Sequence, residues 1–499
     1  MTSSSPCTLG DRRAAPHRAR RAVGAVVVAG AVLGTFAVPA AEARFATRPD
    51  LKPTTVRVAV PPAGTAPGLI FTTPKGGGVA SGAMAFDQGG ELVWFQPARK
   101  GRSILDLKPQ TLDGEPVLTY WEGTAQRGSG TGVFRIVDQR MHPIAEVSPK
   151  GRGQVDFHEF TLTPQGTALT ISYKPVRGDT RAVRGGARND LVMRNLIQEI
   201  DVRTNEVLWE WDATKAVSPA ESYLPNPKRP EIAYDFIHAN SVNLDADGDV
   251  LVSSRHTHTV YKIDKATKKI VWRLGGKRSS FRMGPGARFA WQHDAHRQPD
   301  GTITLFDNVS EVEDDPGKRS RGLQLRLDEG ARTASVVRSF VNPVRKLNNT
   351  QGNLQAMPGG TWFVGWGGTG NNVTEFSPDG VRIFEARYAS KRTESYRAYR
   401  APWSAQPTTA PKAVARRSGS RVAVRASWNG ATTVASWRVL GGSSAARLQP
   451  LAVAARSGFE TLLFADGGAG ATKVVAVEAL DARGVVLARS KAVTVGATY

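Results

Sequence analysis

Four segments of this chain repeat one pattern, and the repetition limits the folds open to the chain. Each segment carries apolar residues ahead of a tight turn that closes on Gly, and one copy has two extra residues. The second residues of the four copies lie 80, 55 and 59 residues apart. Repeats of about 40–50 residues with four strands each are typical of propeller blades. The copies are segments 157–166, 237–248, 292–301 and 351–360.

A second pattern lies between these copies. Alternating apolar residues flank a short polar turn and end at Trp in segments 86–94, 200–209 and 263–272. Each reads as a β-hairpin. We therefore predict an all-β protein in which residues 85–405 form a six-bladed β-propeller. Residues 44–84 are predicted as an N-terminal extension with the first strands.

The composition changes after the last repeat. Residues 406–417 are rich in Pro, Thr and Ala and read as a linker. Residues 418–499 give alternating strands without a histidine. Their length and pattern predict a small C-terminal β-sandwich similar to fibronectin type III. We expect an accessory domain that contacts the cell envelope.

The N-terminus has the order of a secretory signal. Five arginines precede an apolar run at 22–38, and Ala41-Glu42-Ala43 fits a cleavage site. Residues 1–43 are therefore predicted as a signal peptide, by the general or the twin-arginine route, and the protein as secreted or envelope-associated. An uncleaved anchor is the alternative. After cleavage we expect no membrane span.

The charge and cysteine content narrow the function classes. The formal charge is +22, which suits anionic substrates or an anionic envelope. The basic residues are dispersed and no nucleic-acid-binding motif is present, so we expect no nucleic-acid partner. Cys7 is the sole cysteine and lies in the predicted signal. Disulfides and thiolate chemistry are therefore not expected in the mature chain.

Three histidines occupy the same place in the repeat: His158, His238 and His293. Equivalent positions of propeller blades face the same way, so the three imidazoles should converge on the central channel. The alternative is that they are core histidines bonded to backbone. We expect His256 and His258 to be exposed loop residues.

Polar partners for these histidines stand nearby in the sequence. Asn240 lies two residues past His238, and Arg255 ends the next strand with a fork suited to tetrahedral oxyanions. Histidines can also bind zinc or copper, but Glu159 and Asp294 should face away from the site. We predict transfer of an anionic group through a histidine nucleophile, with no metal and no cofactor.

Segments 157–159, 235–242, 253–256 and 291–295 together resemble the bacterial arylsulfate sulfotransferase (ASST) family, with similarity over about 85–405. The resemblance implies a six-bladed propeller that transfers a sulfuryl group from a phenolic sulfate ester to a phenol by a ping-pong reaction. It also implies that no adenosine-phosphosulfate donor (PAPS) is used.

The resemblance also implies residue roles. His293 would be the sulfurylated nucleophile, and His238 and Arg255 would polarise the sulfuryl oxygens. Asn240 would orient these oxygens, and His158 would assist proton transfer. Either Thr350 or Asn353 would be a fourth-repeat ligand.

Two other functions stay open. A non-catalytic propeller could bind envelope glycans or proteins, and the recurring tryptophans leave a quinoprotein-type dehydrogenase as the less favoured alternative. The sequence does not name the natural donor or acceptor.

Overall fold

The computed structural model describes residues 45–496 except 127, 152–154, 228, 230, 309–318, 345–346, 369–371 and 467–470. The predicted signal peptide, residues 1–43, lies outside the described residues. No helix in the described part is long and apolar enough to cross a bilayer.

Nearly all regular structure is β, as the sequence predicts. The strands of the first half are β1 (Val56–Val60), β2 (Leu69–Lys75), β3 (Gly82–Phe86), β4 (Leu92–Pro97), β5 (Ser103–Leu112), β6 (Glu115–Gln126), β7 (Ser129–Val137), β8 (Pro143–Val147), β9 (Phe160–Leu162), β10 (Thr167–Gly178), β11 (Asp190–Asp201) and β12 (Val207–Asp212). A short helix, α1 (Ala213–Ala216), and a 3-10 turn (Pro219–Glu221) follow.

The middle of the chain continues as β13 (Ala239–Leu244), β14 (Val250–Ser254), β15 (Thr259–Ile263), β16 (Ile270–Gly275), β17 (Arg282–Met283), β18 (His293–Arg297), β19 (Ile303–Asp307), β20 (Arg321–Asp328), β21 (Thr333–Val341), β22 (Asn353–Ala356), β23 (Trp362–Gly365), β24 (Val373–Phe376), β25 (Arg382–Tyr388) and β26 (Glu394–Ala401). The last strands are β27 (Lys412–Ser418), β28 (Arg421–Ser427), β29 (Ser436–Gly442), β30 (Gln449–Ala455), β31 (Glu460–Asp466), β32 (Val474–Leu480), β33 (Val486–Arg489) and β34 (Val493–Thr494).

The strands up to β26 form six sheets. Their orders are β26-β2-β3-β4, β5-β6-β7-β8, β9-β10-β11-β12, β13-β14-β15-β16, β18-β19-β20-β21-β17 and β22-β23-β24-β25-β1. The first strand of each sheet contacts the first strand of the next, and β22 contacts β26, so these inner strands form a closed ring. β1 and β2, from the predicted N-terminal extension, pair with β25 and β26 and so belong to two of the six sheets.

The repeat predicted from sequence is visible as one recurring turn. In each copy a backbone N–H and C=O pair closes the hairpin between the inner strand and the second strand, as between Thr163 and Thr167. Gly166 adopts φ 73°, and Gly301 adopts φ 79° at the equivalent place, a conformation that favours glycine. The same turn occurs at Gly248 and Gly360. The register that defined the repeat is therefore confirmed.

Amide side chains join neighbouring inner strands. Asn243 of β13 donates to the carbonyl of Ala295 in β18 at 2.9 Å. Asn353 of β22 donates to the carbonyl of Ala398 in β26 at 2.7 Å and accepts from its N–H at 3.0 Å. Both side chains are buried. Backbone groups that no strand pairing reaches are thus satisfied by an adjacent sheet.

The C-terminal strands form two further sheets, β27-β28-β31 and β30-β29-β32-β33, with β34 beside β32. They enclose one apolar core that includes Trp428, Val439 and Val477. This part joins the ring at the outer strand β4, where the side chain of Asn429 exchanges two 2.9 Å hydrogen bonds with the backbone of Phe95. An exposed sheet edge is covered in this way.

We expect Asn353→Ala to destabilise the ring by about 3 kcal/mol, because a buried N–H and a buried C=O of Ala398 lose their partner. Urea unfolding followed by tryptophan fluorescence should show a lower midpoint. Asn189→Ala, at an exposed position, is the control and should shift stability by no more than about 0.5 kcal/mol. Equal midpoints for the two variants would contradict the bridging role.

Candidate active site

A cavity of about 860 Å³ lies where the inner strands begin. Several residues at or near the starts of these strands line it, because equivalent positions of a closed ring face the same axis. His158, His238, His293 and Arg255 line this cavity together. Four of the five site residues predicted from sequence are therefore brought into one space.

His238 is fixed by an aspartate three residues earlier. Its Nδ1 lies 2.6 Å from Oδ2 of Asp235, and its backbone N–H donates to Oδ1 at 3.0 Å. The residue adopts φ 54°, and a bulge follows between Ala239 and Ser241. The bulge allows the side chain at the strand start to turn toward the axis. Nε2 is then the nitrogen left for a ligand.

His158 is held in the same manner. Its Nδ1 is hydrogen-bonded to the carboxylate of Asp156, and its ring meets that of His238 edge to face at 4.8 Å between centroids. Phe157 stacks on it at 4.2 Å, and the hydroxyl of Tyr396 donates to its carbonyl at 3.1 Å. Side chain and backbone are thus both restrained.

His293 differs from the other two because its orienting partner is neutral. Its Nδ1 lies 2.7 Å from Oδ1 of Asn308, so Nδ1 carries the proton and Nε2 carries the lone pair. The N–H of Gln351 approaches Nε2 at 3.2 Å. Burial, and then the charge of Arg255, hold the pKa of His293 well below its usual value. At neutral pH this ring is therefore neutral, with its lone pair on Nε2.

Arg255 brings a guanidinium to the cavity, which Lys75 also lines. Its guanidinium stacks on Trp291 at 4.6 Å, and Nη2 donates to the carbonyl of Asn349 at 2.9 Å. Nη1 lies 2.9 Å from Nε2 of His256. The backbone N–H of Arg255 donates to the carbonyl of His238, which joins the two residues directly. The fork is therefore held in place before any ligand arrives.

The expectation for His256 and His258 was wrong, since both are buried. His256 lines the cavity, bonds through Nδ1 to the carbonyl of Asp235 and stacks on His238 at 4.6 Å. Burial, and then His238, lower its pKa to about 3. His258 stacks on Tyr223 at 3.9 Å. The turn after β14 folds inward, which the strand pattern alone does not reveal.

Asn240 does not line the cavity. It is fully buried, and its amide donates to the carbonyl of Gln292 at 2.7 Å, so it joins two neighbouring strands. Asn353 has the same kind of role, whereas Thr350 lines the cavity. Of the two fourth-repeat candidates, the cavity therefore contains Thr350.

Glu159 and Asp294 each follow a cavity histidine by one residue. They face away from the cavity, as the alternation of side chains along a strand predicts. Asp294 lines a second cavity of about 660 Å³, together with His296. The sequence reasoning missed Asp235, Asn308, Trp291 and Gln351 as supports of the site. Asp235 could have been found from its spacing to His238, but Asn308 is brought to His293 only by the pairing of β18 with β19.

One set in the described part of the chain could hold a metal ion: Asp235, His238 and His256 offer ligand atoms within 4.8 Å of one another. The Nδ1 atoms of His238 and His256 are already hydrogen-bonded. The guanidinium of Arg255 approaches the other ring nitrogen of His256, Nε2. The guanidinium is permanently charged and lies 2.9 Å from Nε2 of His256, so it repels a metal cation and attracts an anion. The donor set fits a metal poorly.

The rest of the cavity wall is largely apolar. Aromatic and aliphatic side chains surround the polar cluster and offer space for a ring next to an anionic group. The larger aromatic and aliphatic lining residues are Leu105, Phe157, Leu224, Pro225, Pro227, Ile232, Tyr234 and Tyr396.

The family model described as Arylsulfotransferase (ASST) matches residues 108–389. Among curated proteins no match is found. Solved structures with similarity include a Bacteroides caccae protein of unknown function, at 13% identity and TM-score 0.41, covering 66% of this chain and 98% of that one. A virginiamycin B lyase from Staphylococcus aureus has 8% identity and TM-score 0.33, covering 74% and 95%.

These structural similarities are too low to carry an argument about function. The family match does carry one, because it spans more than half of the chain and contains His158, His238, Arg255 and His293. The chain belongs to the arylsulfotransferase (ASST) family.

Proposed function

We propose that this protein transfers a sulfuryl group from a phenolic sulfate ester to a phenol through a sulfohistidine at His293. The observation that carries the proposal is the geometry of that residue. Its proton is held on Nδ1 by Asn308, and its Nε2 lone pair, which accepts the N–H of Gln351 at 3.2 Å and must release it to attack, lies at a cavity that also contains a fixed guanidinium. No PAPS donor, cofactor or metal takes part in this scheme.

In the first half-reaction, Nε2 of His293 attacks the sulfur, an N–S bond forms and the S–O bond to the aryl group breaks. Arg255 stabilises the equatorial oxygens, on which charge accumulates. Because Nδ1 of His238 is bonded to Asp235, His238 adds a hydrogen bond to these oxygens only in the form that also carries a proton on Nε2. The electron pair leaves with the phenolic oxygen. His158, hydrogen-bonded to Asp156, is placed to deliver a proton to that oxygen.

The second half-reaction runs in reverse with another phenol. His158 removes the proton of the acceptor hydroxyl, the oxygen attacks sulfur and the N–S bond breaks. His293 returns to its neutral form. Because donor and acceptor both carry an aryl ring, one apolar wall can receive each in turn. Thr350 is the hydroxyl that could add a hydrogen bond to the sulfuryl group.

We further propose that the six sheets of the ring are the blades of a six-bladed propeller over residues 85–405, supplemented by earlier strands. The C-terminal sheets would be a fibronectin type III-like sandwich after a linker at 406–417. Export by residues 1–43 would place the enzyme outside the cytoplasm, with the basic chain contacting the envelope.

We expect purified protein to release about one equivalent of nitrophenol per chain from 4-nitrophenyl sulfate alone, and to turn over only when a phenol acceptor is present. Mass spectrometry of donor-treated protein should show one sulfuryl adduct on His293. His293→Ala should lose both signals, while His142→Ala, at an exposed position, should keep them. Glycan or protein binding without turnover would instead support a non-catalytic propeller, and donor-independent redox activity would support a dehydrogenase.

Arg255→Lys should lower kcat/KM about 10²-fold, because a point charge cannot replace the fork that is held over Trp291. Steady-state rates with 4-nitrophenyl sulfate measure this. Arg203→Lys, which alters an exposed ion pair with Asp113, is the matched control and should leave the rate unchanged. A retained rate in Arg255→Lys would show that the fork is not used.

The pH dependence tests the state of the nucleophile. A histidine of ordinary pKa, about 6.5, would be about three quarters protonated at pH 6, and its activity would fall about threefold between pH 7 and pH 6. The lowered pKa of His293 keeps the ring neutral at that pH, so activity should persist from pH 7 to pH 6 and fall only in more acidic solution. The measurement is kcat/KM for the donor, with thermal unfolding at each pH to detect loss of structure. An acid limb centred near 6.5 would contradict this.

A further inference from the structure

We propose that Arg397 is a positioning residue that fixes the three inward histidines at one level of the axis. It lies on β26, outside the segments that suggested the site, and its side chain is fully enclosed. It does not line the histidine cavity and so does not touch substrate.

The contacts of Arg397 reach the residues next to each histidine. Nη1 donates to the carboxylate of Glu159 at 3.1 Å, beside His158. Nη2 donates to the carbonyl of Asn240 at 2.9 Å, two residues after His238. Nε lies 3.4 Å from Asp294, which follows His293.

The same guanidinium also contacts Asp106 on β5, at 3.3 Å. Arg397 therefore joins its own strand to β5, β13, β18 and the residue just before β9, which are inner strands of five of the six sheets. A planar fork with five donors can hold several partners at once, which a lysine cannot.

This layer is charged, yet it is buried. Asp106, Glu159 and Asp294 contribute three carboxylates, and Lys108 pairs with Glu159 beside Arg397. Burial would raise the pKa of Glu159, but the attraction of Arg397 and Lys108 outweighs it and the pKa is lowered. A buried charge without its partner is costly, so the partners cannot separate readily.

The layer also lies between two spaces. Tyr396, which precedes Arg397, lines the histidine cavity, whereas Lys108 and Asp294 line the second cavity. Side chains on one face of the inner strands line the histidine cavity. Side chains on the opposite face belong to the charged layer around Arg397. A shift of this layer would move the histidine backbones relative to one another.

Arg400 offers a matched control. It lies three residues later on the same strand, is equally enclosed and pairs with Glu375 at 3.0 Å. Its guanidinium packs near Phe384, and its partners line neither cavity. Loss of either arginine removes a buried cation, but only the loss of Arg397 disturbs the histidines.

The experiment compares Arg397→Met with Arg400→Met. Both should lower the melting temperature, but Arg397→Met should lower kcat for 4-nitrophenyl sulfate about 10²-fold, the cost of misplacing reacting groups by about 1 Å. KM should change much less, since the cavity wall is intact. Equal kcat values for the two variants would overturn the proposal.

This inference rests on the proposed function only where kcat for 4-nitrophenyl sulfate is the measurement. A second readout is independent of it: imidazole resonances of His158 and His293 in isotope-labelled protein should shift in Arg397→Met and not in Arg400→Met. Unshifted resonances would overturn the positioning role even in an active enzyme. An inactive wild type with shifted resonances would contradict the sulfuryl transfer alone. Should Arg397→Met fail to fold, Arg397→Lys is compared in the same way.

Discussion

The pairing of β2 with β26 closes the ring of inner strands. Leu69 lies opposite Ala401 and Phe71 opposite Tyr399, so strands from the two ends of the ring form one sheet. Without this pairing the last inner strand would not contact both β5 and β22, and the inner strands would have no common axis. The loop closed is more than 300 residues long, but loop entropy grows only logarithmically with length.

Closure gives each inner strand two faces with different chemistry. One register carries the histidines into the cavity, and the alternate register carries carboxylates to Arg397 on the other side. A period of two in side-chain direction therefore separates the histidine cavity from a layer of buried ion pairs only a residue away. Burial in the cavity lowers the pKa of His238 and of His293, so these two rings are neutral.

Each histidine is oriented by a partner of its own, and the partners differ in charge. His158 and His238 have carboxylates at Nδ1, whereas His293 has the carbonyl oxygen of Asn308. A carboxylate suits a proton carrier or an anion binder, and a neutral acceptor suits a nucleophile. The different roles of the three histidines in the proposed reaction therefore follow from the group that each Nδ1 contacts.

The β class, the repeat and the four residues that meet in the cavity could be predicted from the residues, because a local register and a turn at Gly166 or Gly301 are properties of short segments. The predictions for His256 and Asn240 failed, since a turn that folds inward and an amide that joins two strands depend on neighbours far along the chain. The contact of Asn308 with His293 and the place of Arg397 behind all three histidines could be read from the folded chain alone. Such contacts arise when separate sheets close into one ring, and no spacing within a segment encodes them.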